Sequence, residues 1–475
     1  MAIRDSCGVF GACSPNHEYK AAWAVYNGLV GVQHRGQDSC GICALDGGRL
    51  ELEKGRGLVS EAFTRERLDG MRGQAAIGHV RYPTTGSGGL ENAQPYVARL
   101  GDGKEYAFSF NGNIANYLEL KRELEAQGEK FHLDTEIELV ARMLAMGMSG
   151  KGKAGAKATI YDAAGDAMGR LDGSYSILIL CEDGKLYAWR DPQGFKPFCF
   201  GKDAKGNWFF ASESCALEAL RVTEFSDVRP GEIIMVEPGK EPVRTGVVKP
   251  ERVTHCQFEY LYFARGDSVI EGVLCNEVRQ KLGGALAGMH PVKADFVVPV
   301  PDSGKSFALG YARASGIPYE EGLMKNRYIH RTFIMPEQEM REKAVRAKLN
   351  PVKKFVAGKR IVLVDDSIVR GTTLREIVRL VRDAGALEIH VRIGCPPVVA
   401  PCYMGMDFPT YKELAAANKS VEEIRVMLGA DSLGYTDLAA LNKAIGLDGR
   451  LCMACLTGDY PLKRQPAKNA VISCG

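Results

Sequence analysis

Ile361, Val362, Leu363 and Val364 run unbroken into two adjacent carboxylates, Asp365 and Asp366, and then into a short polar turn over residues 367–373. Beyond the turn, Leu374, Ile377, Val378 and Val381 recur at helical spacing. The segment therefore predicts a buried strand, a loop and a helix in succession, the unit from which parallel sheets are built. Such a loop lies at the carboxyl end of its strand and the amino end of its helix. Free backbone N–H groups and the helix dipole favour an anion such as phosphate there. Asp365 and Asp366 cannot hold that phosphate, because like charges repel; they suit hydroxyls, as acceptors, and a divalent cation. The loop fits a ligand with a phosphate at one end and a diol close by, which is a ribose 5-phosphate.

The chain of 475 residues is long enough for about two to four domains. Its net charge is +3 with 25% charged residues, so no global field calls for nucleic acid. No apolar run approaches the roughly 18 residues that span a bilayer, and the amino terminus lacks a signal-type apolar core. A soluble, cytoplasmic protein without a membrane partner is expected. Fourteen cysteines are too dilute for a disulfide scaffold, so each is core, nucleophile or metal ligand.

The first half carries Cys7-Gly-Val-Phe-Gly11, then His79-Val-Arg-Tyr-Pro-Thr-Thr-Gly86, Phe110-Asn-Gly-Asn113 and Asp134-Thr-Glu136, with short apolar strands between them. Further strands are expected over residues 174–181, 185–190 and 208–212, at a spacing that suits two stacked antiparallel sheets with helices outside. Residues 151–155 read as a Gly/Lys-rich surface loop, and the Pro/Gly-bearing residues 238–250 as a linker. After the linker, strand and helix alternate. Residues 276–289 read as a helix, and residues 294–300 as a strand feeding the turn Pro301-Asp-Ser-Gly-Lys-Ser306. Residues 325–348 hold seven Lys or Arg against three Glu. By default that is a solvated basic face.

Three resemblances organise these pieces. Residues 361–373 resemble the phosphoribosyl pyrophosphate (PRPP) signature of the type I phosphoribosyltransferases. The ordered motifs of the first half resemble the class II glutamine amidotransferase domain, an N-terminal-nucleophile fold. The two in this order, over nearly the whole chain, resemble the amidophosphoribosyltransferase family. The implied architecture is α/β: an N-terminal-nucleophile αββα sandwich over residues 7–240, then a type I phosphoribosyltransferase domain with a parallel sheet and a C-terminal extension over residues 251–475. Residues 1–6 would be a leader that is removed.

The resemblance implies that Cys7 attacks glutamine, with its freed α-amino group shuttling the proton. The Asn111 side chain and the Gly112 N–H would form the oxyanion hole, while Arg81 and Asp134 bind the glutamine carboxylate and ammonium. Pro83 stands where relatives usually have a small polar residue. PRPP would be held by Ser303, Asp365, Asp366, Ser367, Arg370, Gly371, Thr372 and Thr373. One Mg2+ per subunit would sit at Ser303, Asp365 and Asp366. The basic stretch becomes a lid that excludes water, with Lys325, Arg327 and Arg331 as its charges.

Cys452 and Cys455 form a CxxC, and Cys256 and Cys402 stand singly. Spacing alone admits zinc or an iron–sulfur cluster. The contexts of all four resemble the ligand sites of the [4Fe–4S] branch of the same family, which implies one cluster per subunit. The remaining cysteines, Cys13, Cys40, Cys43, Cys181, Cys199, Cys215, Cys275, Cys395 and Cys474, read as core or incidental. The resemblance further implies an internal ammonia passage, a homotetramer or homodimer, and purine nucleotides as feedback inhibitors. Two other readings carry different functions: a sugar-phosphate-aminating enzyme, and a nucleotide sensor that kept a phosphoribosyl-binding fold without catalysis.

Overall fold

The computed structural model describes residues 7–82, 89–151, 158–249, 251–326, 348–406, 408 and 410–463. The leader, Pro83, most of the 151–155 loop, Arg327, Arg331 and Cys474 lie outside the described residues.

The first half folds as two antiparallel sheets, one of seven strands and one of six. Gly8–Cys13 runs near the middle of the seven-stranded sheet, between Ala75–Arg81 and Trp208–Ala211. Glu105–Ile114 and Gly173–Cys181 are neighbours in the other. Apolar residues of the two inner faces, among them Val9, Ile77, Ala107, Leu178, Phe198, Phe210 and Ile234, mesh into one core. Helix Ala21–Gly31 covers the outer face of the seven-stranded sheet, and helices Glu136–Met146 and Ile160–Arg170 cover that of the six-stranded one. The result is the αββα sandwich. All nine residues of Gly173–Cys181 are buried because that strand faces core on both sides.

The 238–250 segment is not simply a linker: Val243–Gly246 pairs with Glu232–Val236 at the edge of the six-stranded sheet. Arg244 crosses this pairing to the Glu232 carboxylate at 2.7 Å. Pro and Gly punctuate hairpins as readily as domain boundaries, and here they mark a hairpin.

The second half is built on four parallel strands in the order Phe296–Pro299, Arg360–Asp365, Glu388–Ile393, Ser432–Tyr435. Leu374, Ile377, Val378 and Val381 are the buried positions of helix Thr372–Asp383, as their spacing predicts. Burial of aliphatic side chains of that kind stabilises by about 1.5–3 kcal/mol each. Helix Cys275–Met289 packs along helix Lys305–Ser315 on the opposite side.

The two halves are joined by hydrogen bonds as well as by the chain itself. The N–H groups of Thr254 and Cys256 donate to the carbonyls of Gln193 and Phe195, and Cys256 then pairs in parallel with Cys452. The chain end also returns: Gln193 donates to the Pro461 carbonyl, and the Lys463 N–H to Asp172. Among the described residues no helix is long and apolar enough to cross a membrane.

Candidate functional site

Cys7 immediately precedes its strand and is only half-buried, its Sγ 3.7 Å from the Tyr82 carbonyl oxygen. Burial pushes the thiol above its ordinary value, and Glu136 adds to this, while Arg81 and Lys196 pull the other way. Arg81 is buried and reaches Asp38 at 3.5 Å.

Asn111 lies in a strand of the facing sheet, and Ser212 bridges it to the strand that follows Cys7. The Ser212 hydroxyl accepts from the Val9 N–H at 2.9 Å and from the Asn111 amide at 3.4 Å. The Asn111 side-chain oxygen is buried without a hydrogen-bond partner. Gly112 is demanded by space: a Cβ there would lie 2.0 Å from the Ser174 carbonyl oxygen. Cys7, Arg81, Asn111 and Gly112 are thus brought to one end of the sandwich. Asp134 is more exposed, and its carboxylate pairs with Lys121.

The sequence motifs assign no role to Ser212, Arg35 or Glu136. Arg35 is wholly buried and donates from Nε to the Cys7 carbonyl oxygen at 3.2 Å. Only the third carried a signal, the short acidic run in which it lies.

In the second half, Asp365 ends its strand and Asp366 follows. The Ser303 hydroxyl donates to Asp365 at 3.1 Å, and the Ser367 hydroxyl donates to Asp366. Burial and mutual repulsion hold the Asp365 carboxyl well above the usual range, and burial raises Asp366 as well. Gly371, Thr372 and Thr373 open the following helix, whose first-turn N–H groups have no partners within the helix. Arg370 pairs with Glu413. Asp302 is held by Lys325 at 2.8 Å and Lys305 at 3.6 Å.

Cys402, Cys452 and Cys455 are buried and Cys256 is half-buried; all four are free thiols. Burial pushes each up, and the charge of Cys402 raises Cys256, Cys452 and Cys455 further. Among the described residues no group of three or more His, Cys, Asp or Glu could hold a single metal ion. Apart from Cys7, the other described cysteines are all buried.

Residues 87–219 match the glutamine amidotransferase domain family, and residues 277–395 match the phosphoribosyl transferase domain family. The amidophosphoribosyltransferase of Methanocaldococcus jannaschii is 47% identical over 96% of this chain and 97% of its own length. The chain belongs to the amidophosphoribosyltransferase family. The Bacillus subtilis amidophosphoribosyltransferase is 43% identical over 97% of this chain and 94% of its own. Among solved structures, glutamine PRPP amidotransferase from B. subtilis, complexed with ADP and GMP, superposes with a TM-score of 0.89 at 40% identity, over 98% of this chain and 100% of that one. A structure described as the allosteric regulatory enzyme of purine biosynthesis gives 0.89 at 41%, over 98% of both. A match that runs through both halves leaves the sugar-phosphate-aminating reading without support, since that would replace the second domain.

Proposed function

We propose that this amidophosphoribosyltransferase hydrolyses glutamine at Cys7 and passes the ammonia within the molecule to C1 of PRPP. The balanced reaction consumes glutamine, PRPP and water and yields 5-phosphoribosylamine, glutamate and pyrophosphate, the opening of purine synthesis. One observation carries the reading. A single chain holds a thiol beside an Asn–Gly strand in one half, and paired aspartates at a strand-to-helix loop in the other.

In the first half the Cys7 thiolate attacks the side-chain carbonyl, and its freed α-amino group takes the proton once residues 1–6 are removed. The Asn111 amide and the Gly112 N–H receive the developing oxyanion. Arg81 takes the substrate carboxylate. Asp134, once turned from Lys121, takes the ammonium. In the second half, Ser367, Arg370, Gly371, Thr372 and Thr373 cradle the 5-phosphate at the helix start. Lys325, with Arg327 and Arg331, closes over the pyrophosphate.

Ser303, Asp365 and Asp366 fit a magnesium ion. They are three oxygen donors, including a buried and a half-buried carboxylate whose mutual repulsion a divalent charge would relieve. When bound, the ion neutralises the departing pyrophosphate. The four thiols fit a [4Fe–4S] cluster: Cys256 lies opposite Cys452 in a parallel pairing, and Cys402 is near enough to raise the pKa of the other three. The cluster supplies a structural tie between the segments that carry them. A cytoplasmic location is proposed, where cysteines as dilute as these stay reduced. Purine nucleotides are proposed as feedback inhibitors on the strength of the B. subtilis relative complexed with ADP and GMP.

The test is pyrophosphate release with each nitrogen donor. The wild type should require PRPP and accept glutamine or ammonia, whereas Cys7→Ala should lose glutamine and keep ammonia. Glutamine use by Cys7→Ala, or pyrophosphate release without any nitrogen donor, would overturn the proposal.

A further inference from the structure

The NGN motif contains a residue that the reaction above does not use. Asn113 is buried, and its side-chain amide donates across 290 positions of sequence to the carbonyl oxygen of Tyr403 at 2.9 Å. Ser174, its register partner on the neighbouring strand, is also buried and donates to the next carbonyl, that of Met404, at 2.8 Å. The following residue, Gly405, has φ +90°, and a Cβ there would stand 3.3 Å from Asn113 Cβ and 3.6 Å from the Gly112 carbonyl oxygen. The loop of the second half is thus laid directly on the peptide that follows the proposed oxyanion donors.

That loop is itself fixed. The Met404 N–H donates to Cys402 Sγ at 3.3 Å, and the Cys402 N–H to the Phe408 carbonyl at 3.0 Å. The Tyr460 hydroxyl holds the Pro401 carbonyl at 2.7 Å, with its ring edge-on to Tyr403. Two adjacent donors on two adjacent strands, meeting two successive carbonyls of one pinned loop, define position and direction together. A single contact would leave the strand free to pivot.

We propose that Asn113 and Ser174 are positioning residues for glutamine hydrolysis. They seat the Asn111–Gly112 strand on the loop of residues 403–405, so that the second half of the chain sets the aim of the oxyanion donors in the first. The inference rests on the reading of Asn111 and Gly112 as those donors. Donor geometry governs the rate of amide attack, because an error of about 1 Å costs on the order of a hundredfold. It does not govern alkylation of a thiol by iodoacetamide, which displaces iodide without forming an oxyanion.

The experiment uses the full-length, metal-loaded protein and compares Asn113→Ala, Ser174→Ala and Asn111→Ala with the wild type. Readouts are kcat and KM for glutamine hydrolysis, the alkylation rate of Cys7, and ammonia-dependent pyrophosphate release. Asn113→Ala and Ser174→Ala should each lower the glutamine kcat about tenfold or more. The KM for glutamine, the alkylation rate and the ammonia-dependent rate should stay at wild-type values. Ser174→Ala removes a single oxygen and so reports even where Asn113→Ala fails to fold. Unchanged glutamine kcat, or a loss matched by slower alkylation, overturns the proposal. If Asn111→Ala hydrolyses glutamine at the wild-type rate, the oxyanion assignment itself has failed; if it is impaired and the other two are not, only the positioning role has.

Discussion

Arg35 and Glu259, 224 positions apart, meet in a two-pronged ion pair that solvent does not reach, with Nη2 to Oε1 at 2.8 Å and Nη1 to Oε2 at 3.0 Å. The same guanidinium binds Glu213 and holds the Cys7 carbonyl through Nε. Glu259 opens a π-helical turn three residues after Cys256. The segment that crosses between the halves therefore reaches Cys7 through one side chain.

Glu259→Gln leaves the buried Arg35 with Glu213 as its remaining carboxylate and takes away the carboxylate 3.7 Å from the buried Lys196 ammonium. Breaking a buried pair of this kind costs about 3–5 kcal/mol. The denaturant midpoint should fall accordingly, and glutamine-dependent turnover should fall further than ammonia-dependent turnover because the anchor of Cys7 shifts. Denaturation curves together with the ratio of the two rates check this; a stable variant with an unchanged ratio would refute it.

Relationships of this length are where sequence stops being informative. The strand over residues 361–364 and the helix that follows it were legible because their apolar spacing is local. Cys7, Asn111 and the paired aspartates stand out as candidates because each lies in a small local motif. Ser212, Arg35 and the Tyr403 carbonyl left no local trace, since their partners lie on other strands or in the other half of the chain. Residues 238–250 misled for the opposite reason: turn residues there are a local signal with two meanings, and only the pairing of Val243–Gly246 chooses between them.

Asp365 and Asp366 repel one another, the first half-buried and the second buried, so the site is held at a cost to stability when no ligand is bound. Asp365→Asn should raise the denaturant midpoint of the ligand-free protein. It should also lower PRPP-dependent turnover by about 10–100-fold or more, with glutamine or ammonia alike. Changes of the same sign in stability and turnover would argue against a ligand role for this carboxylate.

His255 provides a pH test. Its Nδ1–H donates to the Gly194 carbonyl at 2.8 Å, and burial, with Arg190 close by, lowers its pKa from 6.5 to about 4. Between those values the unfolded chain takes up a proton that the folded chain refuses, so this residue makes stability fall as pH drops from 6.5 towards 4. Burial raises nearby Asp191 to about 6, which acts in the opposite sense, so the contribution of His255 must be read by difference. His255→Gln should lose less stability than the wild type over that interval. Parallel midpoint-against-pH curves for the two proteins would show that His255 titrates normally.

Four thiols that burial raises, three of them raised further by the charge of Cys402, have little reason to sit together unless something takes their protons. A [4Fe–4S] cluster does so, and it would tie three separate segments: the crossing strand at Cys256, the loop at Cys402, and the turn at Cys452 and Cys455. Protein isolated without oxygen should therefore carry about four iron atoms and four sulfides per chain. Cys402→Ser should lower that content and the denaturant midpoint together. Removing the iron with a chelator should expose the four thiols to alkylation in the otherwise unmutated protein. Stoichiometric zinc without sulfide, or metal-free protein whose midpoint equals that of the anaerobic preparation, would rule the cluster out and leave these cysteines as ordinary core.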